Sequence, residues 1–591
     1  MGAFLLSKHN NSGFAAEPAL KVFETMGLRS PDEFLIGNWK LWSWKKMRSD
    51  EPHFTRRGNA LLVCAGTPIY KRSATLTDSL GRIMDDLQQG TFNYRNIRGS
   101  YTLIYTADGT SIQMLTDQAG IWNVYFDTEG NIISSSFLAV IHGLKAKLTL
   151  NRLAATEVIT SGRQIGPDTL FNEIRRMEIT LMDSIGEVKL VKDAALLSLP
   201  DMNVPGFDDC VTEQVAAIDE YFNDVQPFGE HYGVDSGLTA GHDSRMMLIE
   251  IRKYFKNFQI HSFWRKVKDL ELIIAEKVAD KAGLKLRVIE GKHELDKTEE
   301  QLRDTLKKSL YFYDGHIRMH CFLMEDYHTI EHRTAILGDK KLGINGIGGE
   351  QYRNEWHMEL PSWSLDFFTR YGLVYQLSGQ CFTSREEEEK FLGYLSSKLL
   401  RKLGLNDGTK RLSKLDIQKY YNEVYVASLM GVRTNAENTL GHFITPFIDR
   451  QLTRISYRSL KHHGISFGFQ QAMIRKMDTE LASVVSGYGY SFTQGEPLKK
   501  KLKYLVKEFT PKNIYQDKLN RKFAAAGNKY FQQYIDKYSI FKESVEYLHG
   551  FHLPVDETTV TSRPDIMPVY LSLAYFLYTL SKEGRLEQSM N

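Results

Sequence analysis

Two glycine-bearing turns carry the side chains most suited to chemistry. The first lies in HYGVDSGLTAGHDSRMMLIE (231–250). A β-prone run ends in a tight turn that holds two hydroxyls, Thr239 and Ser244, and one carboxylate, Asp243. A helical pattern opens at Arg245 with Met246, Met247 and Ile249. A strand–loop–helix order of this kind aims backbone N–H groups and a helix N-terminus at one point, an arrangement that holds phosphate. The Gly-Lys-Ser/Thr ending of a Walker loop is missing. An ordinary βα turn with a capping Asp accounts for the same residues. The second turn lies in KLGINGIGGEQYRNE (341–355), where an apolar run ends in Asn345-Gly346-Ile347-Gly348-Gly349 and then Glu350. Glu350 alone reads equally as a first-turn acid at a helix N-terminus.

The elements that must position these turns follow from the pattern around them. VTEQVAAIDEYFNDV (211–225) is an amphipathic helix ahead of the first turn. FQIHSFWR (258–265) is a second strand, and DLELIIAEKVADKAGLKLRVIE a helix closed by Gly283 and then a third strand. Strand, helix, strand, helix, strand implies a parallel sheet with crossover helices, and nucleotides bind at the carboxyl ends of such strands. Phe263, on the second strand, is either sheet core or a wall for an adenine ring.

Upstream, residues 1 to about 205 are strand-rich. ALLVCAGTPIY (60–70), GSYTLIYTADGTSIQMLTD (99–117) and WNVYFDTEGNIISSS (122–136) alternate with turns at Asp108-Gly109 and Glu129-Gly130, and LTDSLGRIMDDLQQG is a helix between the first two. LSLPDMNVPGFDD reads as a linker. From about 500 the pattern is helical and ends in a buried terminal helix, while REEEEK (385–390) reads as a solvated helix face.

The chain's 591 residues exceed a single core. With 42% hydrophobic and 25% charged residues it has the composition of a globular protein, and a formal charge of +3 gives no argument for nucleic acid. Cys64, Cys210, Cys321 and Cys381 form no C-x-x-C pair, so neither a zinc site nor a disulfide framework is expected, and a cytoplasmic location fits. MGAFLLSKHN makes a poor signal peptide, and no apolar run approaches membrane-spanning length.

Leu238-Thr239-Ala240-Gly241-His242-Asp243-Ser244 resembles the S-G-G-x-D-S pyrophosphate loop of the asparagine synthetase family, which includes β-lactam synthetases and lasso-peptide cyclases. Thr239 stands for the first Ser and Ala240 for the first Gly. The second turn resembles the family's S-G-x-G-A-D-E, with Gly346 and Gly348 matching, Gly349 for Ala, Glu350 for Asp and Gln351 for Glu. Pro446-Phe447-Ile448-Asp449 is similar to a P-F-L-D segment that ties the family's helical part to its sheet. The first 205 residues resemble the family's glutaminase domain, whose nucleophile is a cysteine freed as residue 1. Here Gly2 takes that place and Cys64 lies in an apolar run, so glutamine hydrolysis is not expected.

The resemblance implies a fold and an activity. An α+β glutaminase-like scaffold (1–205) would precede an α/β adenine-nucleotide α-hydrolase-like domain (206–591) with a parallel sheet and a helical C-terminal part. ATP would activate a carboxylate, small or peptidic, as an acyl-adenylate, and an amine or ammonia would take the acyl group. Leu238, Thr239, Ala240, Gly241, Asp243, Ser244, Phe263, Asn345 and Gly346 would bind the nucleotide. Asp243 and Glu350 would hold Mg2+, which takes one or two protein carboxylates. Two departures bear on mechanism. The family's G-x-G residue that manages the nucleophile's proton is Ile347, so His242, Glu355 or His357 is a candidate base. Its charge-steadying lysine gives way to Ser486-Gly487-Tyr488-Gly489-Tyr490, with Lys499, Lys500 and Lys501 beyond. An ammonia-fed asparagine synthetase-like enzyme and an inert nucleotide-binding scaffold are the alternatives. A homodimer is expected from the family alone.

Overall fold

The structure, a computed structural model, describes residues 2–203, 206–264, 269–290, 297–316, 330–353, 362–374, 381–464, 467–509, 514, 529–563 and 566–587. Glu355, His357 and Cys321 lie outside the described residues.

Residues up to 191 build two stacked six-stranded sheets. The first runs in the order Ile174–Arg176, Tyr125–Asp127, Ile132–Ser134, Ala3–Lys8, Trp39–Trp44, Asp32–Ile36, antiparallel throughout. The second runs Ser184–Ile185, Val188–Val191, Gln113–Thr116, Tyr101–Thr106, Ala60–Gly66, Phe54–Arg57. It is antiparallel except where Val188–Val191 pairs with Gln113–Thr116. Successive strand side chains point to opposite faces, and here both faces are covered. Leu61 and Val63 meet Phe4 and Leu6 between the sheets, whereas Leu62 and Cys64 face the helix Leu76–Gln89. On the far side Leu5, Trp42 and Trp44 pack on the helices Ala16–Thr25 and Phe137–Gly143. The result is four layers, helix–sheet–sheet–helix. It explains why Ala60–Gly66 is buried at every position. Cys64 is a core residue, and burial raises its thiol pKa. The two Gly turns are where the sequence places them, with Gly109 at φ 77° and Gly130 at φ 69°.

The helix Phe207–Tyr232 runs through Pro227 into the second region. There a five-stranded sheet has the order Leu286–Glu290, Phe258–Trp264, Val234–Gly237, Leu342–Ile344, His442–Ile444, and every neighbouring pair is parallel. In chain order this is 3-2-1-4-5, so the direction of winding reverses between Val234–Gly237 and Leu342–Ile344. The fifth strand is not marked in the sequence: its three residues show no period, and no glycine turn follows it as one follows Leu342–Ile344.

The helix Met567–Lys582 is buried along most of its length and packs in the same core as Ser539–His549. Within the REEEEK run Glu388 departs from the expected solvated face: it is buried and paired with Arg370. Two buried ion pairs, Lys398–Glu157 at 2.6 Å and Lys402–Glu178, join the helix Arg385–Leu403 to the first region. Lys46 Nζ donates to Asn438 O, Asn438 Oδ1 and Gly441 O, each at 2.9 Å, fastening the first region to the turn before the fifth strand. No helix among the described residues is long and apolar enough to cross a membrane.

Candidate functional site

The two turns emerge from the carboxyl ends of adjacent strands, on either side of the point where the sheet's winding reverses. In open parallel sheets this is where ligands bind. The first turn is closed by its own hydroxyls. Thr239 Oγ1 and Ser244 Oγ lie 3.0 Å apart, the Thr239 N–H donates to Ser244 Oγ (3.1 Å), and the Gly241 N–H donates to Thr239 Oγ1 (3.2 Å). Thr239 is exposed; Leu238 and Ala240 are buried beneath it. The helix His242–Tyr254 starts from Gly241, which has no side chain to cap it, so the positive end of the helix faces the turn.

The second turn folds against the first. Asn345 Oδ1 accepts from the Ile347 N–H (2.8 Å), which tightens the bend. Gly348 has φ 100° and opens the 3-10 turn Gly349–Tyr352. The contact is close enough to demand glycine. A Cβ on Gly349 would meet Asp243 Oδ1 at 2.2 Å, and one on Gly346 would meet Met247 Cγ at 2.7 Å. Ile347 turns away and packs beside Ile121, Tyr421 and Ile448.

This approach brings Asp243 and Glu350 around one guanidinium. Arg353 Nη1 lies 3.4 Å from Asp243 Oδ2, and Nη2 lies 3.2 Å from Glu350 Oε1. Gln470, on the helix Gly468–Met477, donates to Asp243 Oδ1 (2.5 Å) and to Gly349 O (3.0 Å), and its Oε1 accepts from Arg353 Nη1 (3.2 Å). Glu350 Oε2 accepts from the Tyr421 hydroxyl (2.7 Å) and the Gly348 N–H (3.2 Å). Arg353, Gln470 and Tyr421 were not singled out in the sequence. The only sequence signal for any of them is the i, i+3 spacing of Glu350 and Arg353. Mg2+ needs oxygen ligands at about 2.0–2.1 Å in near-octahedral geometry. Each of the four carboxylate oxygens already faces a donor, and the space between the two groups holds a cation. In this arrangement the pair does not fit a chelated divalent ion.

The remaining candidates fall around this centre. Phe263 is half-buried on the neighbouring strand, edge-on to His261 at 5.3 Å. His242 is fully buried and stacked on Phe492 (4.3 Å between ring centroids), with Phe467 and Tyr488 beside it. Burial, with Arg353 and Arg245 nearby, holds its pKa well below the usual imidazole range, so the ring is neutral and a weak base. Arg245, one turn on, lies over the same Phe492 ring and donates to Leu481 O and Val484 O; burial pushes its pKa down to about 10. The segment that stands where the resemblance puts a lysine covers the first turn: the Gly487 N–H donates to Ala240 O (3.3 Å), and Lys500 donates to Tyr488 O.

Compared with protein-family models the chain matches none, and no curated protein matches it.

Proposed function

We propose that this protein is an ATP-dependent, AMP-forming amide ligase that works without hydrolysing glutamine. The reading is carried by one observation. Two glycine turns meet at the carboxyl ends of adjacent strands, across the reversal point of a parallel sheet, with Gly349 packed directly on the Asp243 carboxylate. The likeness of both turns to the asparagine synthetase loops supports the same assignment.

In this reading the substrate carboxylate attacks the α-phosphorus of ATP, the bond to the bridging oxygen breaks, and pyrophosphate leaves. An amine or ammonia then attacks the acyl carbon, AMP departs, and the nitrogen loses a proton. The chain's work is positional and electrostatic. The Leu238–Ser244 turn takes the pyrophosphate, with the Thr239 and Ser244 hydroxyls and the N–H groups at the start of the His242–Tyr254 helix as donors. Asn345 and Gly346 border it, and Phe263 flanks the base. The four-layer first region, 1–205, serves as a glutaminase-type scaffold without its nucleophile. A Cβ at Gly2 would already meet Leu28 Cδ2 at 3.0 Å and Lys45 O at 3.1 Å.

Product analysis tests the reading. Mg-ATP is supplied with a panel of carboxylates, peptides and amines. AMP and pyrophosphate that depend on a carboxylate and disappear in Asp243→Ala support it. ADP in place of AMP refutes the adenylation chemistry. ATP binding by calorimetry with no turnover on any member of the panel would favour a nucleotide-binding scaffold.

A further inference from the structure

The resemblance puts a divalent cation between Asp243 and Glu350; the structure puts an arginine there. We propose that the Arg353 guanidinium is a built-in replacement for that cation, so that the two carboxylates form an ion-pair socket and not a metal site. The inference rests on the ligase reading only for the expectation of a metal; the socket is a property of the chain by itself.

Three features carry it. The first is the fork's placement. Nη1 serves Asp243 and Nη2 serves Glu350, at 3.4 and 3.2 Å, so one planar group bridges two carboxylates from different loops. The second is that the guanidinium is held from behind. Gln470 Oε1 accepts from Nη1 at 3.2 Å, the ring of Phe467 lies 5.4 Å from Cζ, and only 8% of the Arg353 side chain is exposed. Gln470 and Phe467 come from a third segment, so the position does not depend on the two loops alone. The third is that the outer oxygens are engaged. Asp243 Oδ1 accepts from Gln470, and Glu350 Oε2 accepts from Tyr421 and the Gly348 N–H. A divalent ion entering between the carboxylates would have to expel a like charge and break these bonds as well.

Mn2+ is the probe, because binding removes the sharp electron paramagnetic resonance signal of the free hydrated ion. The assay uses the full chain without nucleotide, so it is decided whether or not the protein binds ATP; loss of the ligase reading and loss of this one are separate results. Wild type is expected to leave the Mn2+ signal unchanged. Arg353→Ala and the neutral, polar Arg353→Gln are each expected to bind Mn2+ at least about tenfold more tightly than wild type. The gain should vanish in Asp243→Asn/Arg353→Ala. Circular dichroism establishes that each variant is folded. Mn2+ binding by wild type that Asp243→Asn abolishes would overturn the proposal, and so would the absence of any gain in a folded Arg353 variant.

Discussion

Gly349→Ala puts the convergence of the two turns to the test with a single methyl group. The alanine Cβ would stand 2.2 Å from Asp243 Oδ1, 2.7 Å from Cγ and 3.0 Å from Cβ, whereas ordinary contact begins at 3.4 Å. The oxygen must therefore retreat by about 1.2 Å, the difference between 3.4 and 2.2 Å. Neither partner yields cheaply. Gln470 and Arg353 hold Asp243, and Gln470 also grips Gly349 O at 3.0 Å. The far end of the 3-10 turn is pinned where Gln351 Nε2 donates to Phe447 O at 2.7 Å. Overpacking of this kind costs about 1–3 kcal/mol. If the strain falls on ligand binding, the affinity for ATP or pyrophosphate drops by about 5- to 150-fold. Isothermal titration calorimetry reads that drop, and scanning calorimetry reads the lower unfolding temperature. The substitution has added interest because alanine is the residue of the resembled family's loop. A variant that binds and unfolds like wild type would refute the packing of Gly349 on Asp243, and with it the convergence that the proposed function rests on.

Gly393→Ala is the matched control: an added Cβ meets nothing within 4 Å on the exposed face of the helix Arg385–Leu403, so stability should rise by about 0.5–1 kcal/mol, seen as a higher unfolding temperature. Glu250 is buried, its Oε2 has no partner among the described residues, and burial, with the Asp219 charge adding to it, pushes its pKa from 4.5 up to about 7. Between those values the folded protein keeps a proton that the unfolded chain has released, so stability falls as pH rises through the window, by about 3 kcal/mol in all. Glu250→Gln should therefore gain stability over wild type at pH 8 and lose that advantage toward pH 4.5, with calorimetry at both pH values as the check. Lys398→Met strands the Glu157 charge, which is fully buried, and should cost about 3–5 kcal/mol; Lys398→Met/Glu157→Gln should recover much of it, as urea unfolding of the single and double variants would show.

Legibility in the sequence divides by the distance over which a residue acts. Ala60–Gly66, the helix Leu76–Gln89, the glycine turns at 109 and 130 and the βαβ order from 234 to 290 are set by neighbours a few residues away, and their periods and turn residues announce them. The two glycine turns at 238–244 and 345–350 belong to the same class, since a strand end followed by glycines suffices to mark them. The centre of the site does not. Gln470 reaches Asp243 across 227 positions and Tyr421 reaches Glu350 across 71, and nothing in the composition of either helix marks those two side chains as turned inward. His242 shows the converse: as a polar residue inside a glycine-bearing turn it reads as a candidate base, yet Phe467, Tyr488 and Phe492, more than two hundred positions away, wall it in. Arg353 joins the two classes. Its pairing with Glu350 at i, i+3 is local, but its second carboxylate is 110 positions upstream, and that contact turns a common helical ion pair into a bridge between loops. Electrostatic roles are the least local quantities in a chain. A carboxylate's place in a loop indicates that a cation is wanted, and only the fold decides whether a metal or an arginine supplies it.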